Sequence, residues 1–149
     1  MDIELNKTYK FDIPVFSFGD LSREEMIEVL QDGRHNSPFL ERQLTKWFPK
    51  LTHVPGNKGH DHYDEDGVLY DAKNFTKNGL KYMPSSMLGT GRKFDAEKAH
   101  AHAEKLVYIV CDIFVFPSVR VRFTHGTDLK DIYPDCKIPF SGREAYFND

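Results

Sequence analysis

The stretch Leu106-Val-Tyr-Ile-Val-Cys-Asp-Ile-Phe-Val-Phe116 constrains the fold more than any other part of this chain, because only Asp112 interrupts its apolar character. Rich in β-branched and aromatic residues and stopped by Pro117-Ser118, it reads as a central strand buried on both faces. The following Val119-Arg-Val-Arg-Phe-Thr124 alternates instead. Val119, Val121 and Phe123 point to the core, while Arg120 and Arg122 share an outer face and could meet phosphates or guanine edges.

Helical signals precede and separate the strands. Ser22-Arg-Glu-Glu25 is a capping box that opens a helix running to Gln31, with Gly33 as its C-terminal stop. A second helix is predicted from Ser37, with Pro38 in its first turn and Pro49 beyond its end; Leu40, Leu44, Trp47 and Phe48 form its apolar stripe. Asp95 caps a third, whose small residues Ala96, Ala99 and Ala103 suit close approach to a sheet. Tyr9 to Phe18 alternates, and Pro14 marks it as an edge strand or arm. The pattern predicts one α/β (α+β) domain over residues 1–149, with a mixed central sheet flanked by helices. Its parts are an N-terminal arm and helix over 1–33, a core over about 37–125, and an extended tail over 126–149 carrying Pro134, Pro139 and Gly142.

The chemistry concentrates between Asp61 and Lys73. Val68 to Phe75 reads as a strand, and Glu65-Asp66-Gly67 before it fits a three-residue hairpin loop with Gly67 in the left-handed region. That loop pairs 64 with 68, 63 with 69, 62 with 70 and 61 with 71. Paired residues share a face, so Asp61 lies beside Asp71, and Lys73 follows on the same face with the two-residue period. Asp64 has the opposite parity. A two-residue Asp66-Gly67 loop would instead pair Asp71 with His62 and separate the acids. Two adjacent carboxylates repel unless a cation lies between them, and two hard oxygen ligands beside a lysine suit metal-dependent phosphodiester hydrolysis.

Charge is segregated around this hairpin. Residues 61–71 hold five acids and no base, whereas 73–94 hold five bases (Lys73, Lys77, Lys81, Arg92, Lys93) and no acid. An acidic pocket with a basic, glycine-containing flank suits a metal together with a polyphosphate. Gly89-Thr90-Gly91 lacks the lysine and hydroxyl residue of a phosphate-binding loop. His100 and His102 lie two apart on a helix, the wrong spacing for ligands on one face, and no apolar run reaches the ~18 residues of a membrane span. Cys111 lies in the apolar strand and Cys136 is the only other cysteine, which fits a reduced, cytoplasmic protein better than a disulfide-stapled one.

Gly59-His60-Asp61, Asp71-Ala72-Lys73 and, upstream, Ser37-Pro-Phe-Leu-Glu41 resemble the motif of the PD-(D/E)XK nuclease superfamily, which includes type II restriction enzymes and some homing endonucleases. The resemblance spans residues 37–125 and departs from the motif in having His60 where proline often precedes the first acid. It implies a restriction-endonuclease-like core and a Mg²⁺-dependent (or Mn²⁺-dependent) endonuclease acting on double-stranded DNA. Asp61, Asp71, the Ala72 carbonyl and Glu41 would be the metal ligands and Lys73 the water-orienting cation, with 5′-phosphate and 3′-hydroxyl products. One site per chain and two strands to cut imply a homodimer or a larger symmetric oligomer. The expected DNA contacts are Lys77, Lys81, Arg92, Lys93, Arg120 and Arg122. A non-catalytic nucleic-acid-binding protein using segment 77–93 is the competing expectation, and indifference to Mg²⁺ and to loss of Lys73 would mark it.

Overall fold

The structure, a computed structural model, describes residues 1–56 and 58–149. The elements are β1 (Thr8–Asp12), α1 (Arg23–Leu30), α2 (Gly33–Trp47), β2 (Thr52–His53), β3 (His62–Tyr63), β4 (Leu69–Phe75), β5 (Leu80–Lys81), α3 (Ala96–Ala103), β6 (Val107–Asp112), β7 (Ser118–His125), α4 (Gly126–Ile132), β8 (Lys137–Ile138) and α5 (Arg143–Tyr146). Six strands form one sheet in the order β1-β7-β6-β4-β3-β2, and β5 pairs separately with β8. Among the strands of the described residues, only β4 and β6 run parallel, joined through α3; the other strand pairs are antiparallel. The protein is therefore mixed α and β with a mixed sheet, and its central strand, β6, is buried along its whole length.

Each face of the sheet has its own apolar cluster. Tyr70, Ile109, Cys111, Val121 and Phe123 lie on the first face, under Met26 and Leu30 of α1 and Leu40 and Leu44 of α2. Phe48 closes this layer, with edge-to-face contacts to Tyr9, Phe11 and Phe123. The second face presents Phe75, Tyr108 and Val110 to Ala99 and Ala103 of α3, Leu129 of α4, Ile138 of β8 and the C-terminal Tyr146 and Phe147. The small-residue stripe of α3 allows close approach here, and Gly126 extends it. A Cβ at Gly126 would sit 1.8 Å from the Ala103 carbonyl oxygen, so this position tolerates no side chain.

Three expectations need correction. The second helix begins at Gly33, not Ser37, because the Asp32 side chain accepts the Arg34 N–H and caps it; Gly33 opens this helix instead of stopping the first. Residues 76–93 hold a turn closed by paired Thr76 and Gly79 backbone bonds, then β5 and the buried Tyr82 and Met83.

Residues 126–149 are not an extended tail. They supply α4, β8 and α5, and Leu129, Cys136, Ile138, Tyr146 and Phe147 are buried. This segment lies on the side of β7 that carries Arg120 and Arg122. The Arg120 guanidinium meets the fully buried Asp112 at 2.9 Å and Glu144 at 3.0 Å, and stacks over Phe147. Arg122 bonds Asp149 at 2.7 Å and Thr8 Oγ1 at 2.9 Å. Arg143 gives Asp112 a second guanidinium at 2.8 Å. The two strand arginines thus fasten the C-terminal segment and do not form an open nucleic-acid-reading face.

This packing predicts that Phe147→Ala lowers the unfolding free energy by about 3 kcal/mol, the usual cost of emptying a buried phenylalanine site. Urea denaturation checks it; a loss within about 0.5 kcal/mol, as for an exposed position, would show that the segment is not packed.

Candidate functional site

The hairpin has the register of the three-residue loop: His62 pairs with Tyr70 and Tyr63 with Leu69. Gly67 takes φ +81°, its N–H reaches the Asp64 carbonyl at 3.1 Å, and the Asp64 N–H reaches Val68 at 3.1 Å. The buried Asp64 carboxylate accepts the N–H groups of Asp66 and Val68 at 3.0 Å each and the Tyr70 hydroxyl at 2.8 Å. Burial raises the Asp64 carboxyl, but these donors outweigh it and hold the group below the usual range. Asp64 is a structural anchor of the turn, on the same side of the ribbon as Tyr70.

Beyond His62 the strands separate. The alternation of the ladder would next bring the His60 carbonyl to the Ala72 N–H, yet Asp61 Oδ2 accepts that N–H at 2.9 Å. The Asp61 N–H meanwhile donates to the Tyr70 carbonyl at 2.8 Å. This substitution ends the β3–β4 ladder and lays the Asp61 carboxylate against Asp71. Ala72 directs its N–H toward the vacated β3 side, and strand geometry sends its carbonyl the same way.

Asp71 and Lys73 point to the second face, with Lys73 Nζ 3.1 Å from Asp71 Oδ2. Asp71 and Asp61 are within hydrogen-bond reach of each other. The Asp71 carboxyl is pushed from an ordinary 3.8 to about 6. Burial is the largest cause; Lys73 opposes it, and the neighbouring Asp61 adds to it. Two acids with one ammonium form a cluster short of positive charge.

Two neighbours of the cluster are not among the residues expected from sequence. Tyr108 stands beside Asp71 in the parallel β4–β6 register, and burial raises its phenol. His102, on the crossover helix α3, lies within the electrostatic reach of Asp71 and Lys73; burial holds its imidazole below the ordinary value. Its spacing from His100 hides this role, because that pair reads only as a failed zinc motif. The signal that finds it is the crossover itself, which folds the end of α3 back over the start of β4.

Glu41 does not join the pair. Helix α2 covers the opposite face, that of Ala72 and Asn74, and Glu41 Oε1 lies 3.5 Å from His53 Nε2. The Glu41 carbonyl accepts a hydrogen bond from His62 Nε2 at 2.7 Å, which ties the hairpin to α2. Among the described residues no group of three or more histidine, cysteine, aspartate or glutamate side chains is arranged to hold a metal ion. Of the expected DNA contacts, Lys77, Lys81 and Lys93 are exposed, and the exposed Arg92 donates to the Ser85 carbonyl at 2.8 Å. Cys111 and Cys136 are free and buried. Among the described residues no helix is long and apolar enough to cross a membrane.

Compared with known proteins, the chain matches no family model, no curated protein and no solved structure.

The partly buried pair predicts a pH signature. Because the Asp71 pKa is raised on folding, its contribution favours the fold fully below about 3.8 and is lost as pH rises through about 6. That span corresponds to about 3 kcal/mol at 1.36 kcal/mol per pH unit. In metal-free buffer, Asp71→Asn should therefore gain stability relative to the parent protein at pH 7.5 and show much less of that gain at pH 4. A difference in urea midpoint that does not change with pH would contradict this account.

Proposed function

We propose that the protein is a Mg²⁺-dependent endonuclease acting on double-stranded DNA, with the α2–β2–β3–β4–α3–β6–β7 unit as a restriction-endonuclease-like core. One observation carries the reading: the hairpin register and the Asp61–Ala72 hydrogen bond bring Asp61, Asp71 and Lys73 together on one face. A partly buried acid pair short of positive charge is a common mark of a functional site.

The donor set fits a hard divalent cation, since Mg²⁺ is commonly held by one or two carboxylates and keeps several waters. Asp61, Asp71 and the Ala72 carbonyl would hold it; Mn²⁺ would substitute. When bound, it would supply a nucleophile at neutral pH and neutralise phosphate oxygens. Lys73, anchored on Asp71, would orient the attacking water and stabilise the charge that builds on the phosphate oxygens. Asp61 and Asp71 would hold their carboxylates in place without reorganising, because Ala72 and Lys73 already fix them. The exposed Lys77, Lys81, Arg92 and Lys93 would neutralise backbone phosphates, and a symmetric oligomer would supply the second site needed to cut both strands.

A plasmid-nicking assay with and without Mg²⁺ tests the activity. Lys73→Ala and Asp61→Asn should each lower cleavage by at least ~100-fold, as loss of a group acting on the transition state does, with DNA binding within a few-fold. Asp61→Asn keeps an oxygen for the Ala72 N–H, so its fold should persist. Asp64→Asn should retain the cleavage rate of the folded fraction while losing roughly 1–3 kcal/mol of stability, because a buried acceptor is disturbed. Mg²⁺-independent behaviour, or full activity in Lys73→Ala, would leave only the binding protein.

Replacing Lys77, Lys81, Arg92 and Lys93 by alanine should weaken DNA binding and flatten its salt dependence, by about 0.9 in log–log slope for each phosphate that is no longer neutralised. Fluorescence anisotropy across a salt series reads this directly, and an unchanged slope would mean that the segment faces away from DNA.

A further inference from the structure

The hairpin carries an exposed aromatic side chain beside the acid pair. Tyr63, on β3, is 43% exposed. Its neighbour His62 points to the first face, where Nε2 donates to the Glu41 carbonyl, so Tyr63 points to the second face with Asp71 and Lys73. The register agrees, since Tyr63 pairs with Leu69, which packs against the second-face cluster. Asp61 precedes β3 directly, and two residues of strand rise, roughly 6.6 Å, separate it from Tyr63.

The ring takes no part in holding the domain together. Tyr63 belongs to neither apolar cluster, and among the described residues its ring has no aromatic or cationic partner and its hydroxyl no hydrogen bond. The buried Tyr9, Tyr70, Tyr82 and Tyr146, by contrast, all bond their hydroxyls. Across the ladder Tyr63 faces Thr52 on one side and Leu69 on the other, both smaller and uncharged. The turn beyond it carries the exposed Glu65 and the Asp66–Lys50 ion pair, so the turn offers no surplus positive charge to a further phosphate.

We propose that Tyr63 is a stacking platform for the base of the nucleotide next to the phosphate held at Asp61 and Asp71, and that the preferred substrate is a duplex with an unpaired nucleotide at that position. This inference rests on the nuclease reading and names its substrate class. A phenol ring presents a π face that accepts any base, and such stacking contributes about 1–3 kcal/mol per base. In an intact duplex the neighbouring bases already cover both faces of each base. The ring therefore meets a base face only where the nucleotide has left the stack, and a mismatched or unpaired nucleotide leaves at the least cost. One exposed side chain next to the acids thus becomes a preference for mismatched or bulged positions over continuous duplex.

Oligonucleotide duplexes carrying 2-aminopurine, either fully paired or as a single unpaired nucleotide, test it on the full chain, on Tyr63→Phe and on Tyr63→Thr. Threonine suits a strand, so the fold should persist. In Mg²⁺-free buffer the parent and Tyr63→Phe should quench the unpaired 2-aminopurine and bind that duplex on the order of 10-fold more tightly than the paired one. Tyr63→Thr should lose the quenching and the preference while holding the paired duplex within a few-fold of the parent. With Mg²⁺, the ratio of kcat/KM for the two duplexes should fall by the same factor in Tyr63→Thr, whereas a purely structural residue would change both duplexes alike. A Tyr63→Thr protein that keeps the preference would overturn the proposal, and so would a Tyr63→Phe protein that behaves like Tyr63→Thr, because the hydroxyl and not the ring would then make the contact. A parent that cuts both duplexes equally overturns this inference and leaves the nuclease reading standing. A parent that binds with the preference but does not cut keeps Tyr63 as the platform and overturns the nuclease reading alone, and one that neither binds nor cuts overturns both.

Discussion

The three hydrogen bonds accepted by the buried Asp64 carboxylate fix the geometry of the candidate site. Two come from the turn and one from the Tyr70 hydroxyl, so the carboxylate clamps the loop to the strand that leaves it. A slip of one residue would break all three and turn the Asp71 and Lys73 side chains to the other face. The register in turn puts Asp61 where its side chain can take the Ala72 N–H. Cluster geometry is thus set by an acid that does not belong to the cluster.

The second face is organised by a comparable device. Asp112 is the one charged residue in the central strand, and two guanidiniums and the Phe114 N–H satisfy it. Arg120 reaches it from the neighbouring strand and Arg143 from the C-terminal helix, so the ion pairs join the sheet to the last segment of the chain. A buried acid missing one of these partners would be costly, which makes the C-terminal segment part of the domain's stability.

What the sequence made legible followed from strong local rules. The capping box, the Asp95 cap, the apolar stripe of α2 and the parity of the hairpin all appear as expected, because each depends on residues within a few positions. What failed depended on long-range partners. Strand alternation correctly put Arg120 and Arg122 on the face opposite Val121, but it cannot say whether that face meets water or α5. Leu129, Ile138, Tyr146 and Phe147 were the available hint that residues after 126 build core. Glu41 does lie on the second helix, yet which face of the sheet α2 covers is a tertiary fact, and it separates this glutamate from Asp71.

The two inward-facing acids of the hairpin strands explain why function is assigned to one and structure to the other. Asp64 has donors for its charge and is held in the ionised form. Asp71 is partly buried beside a second carboxylate and only one ammonium, and its carboxyl is driven up to about 6. The repulsion between the two acids costs folding free energy, and an asparagine in place of either would relieve it. On the proposed reading, positive charge arrives from outside the chain, as a divalent cation bound between the carboxylates. The same argument explains why Lys73 alone is insufficient: it sits 3.1 Å from Asp71, yet the acid pair still keeps a net negative charge.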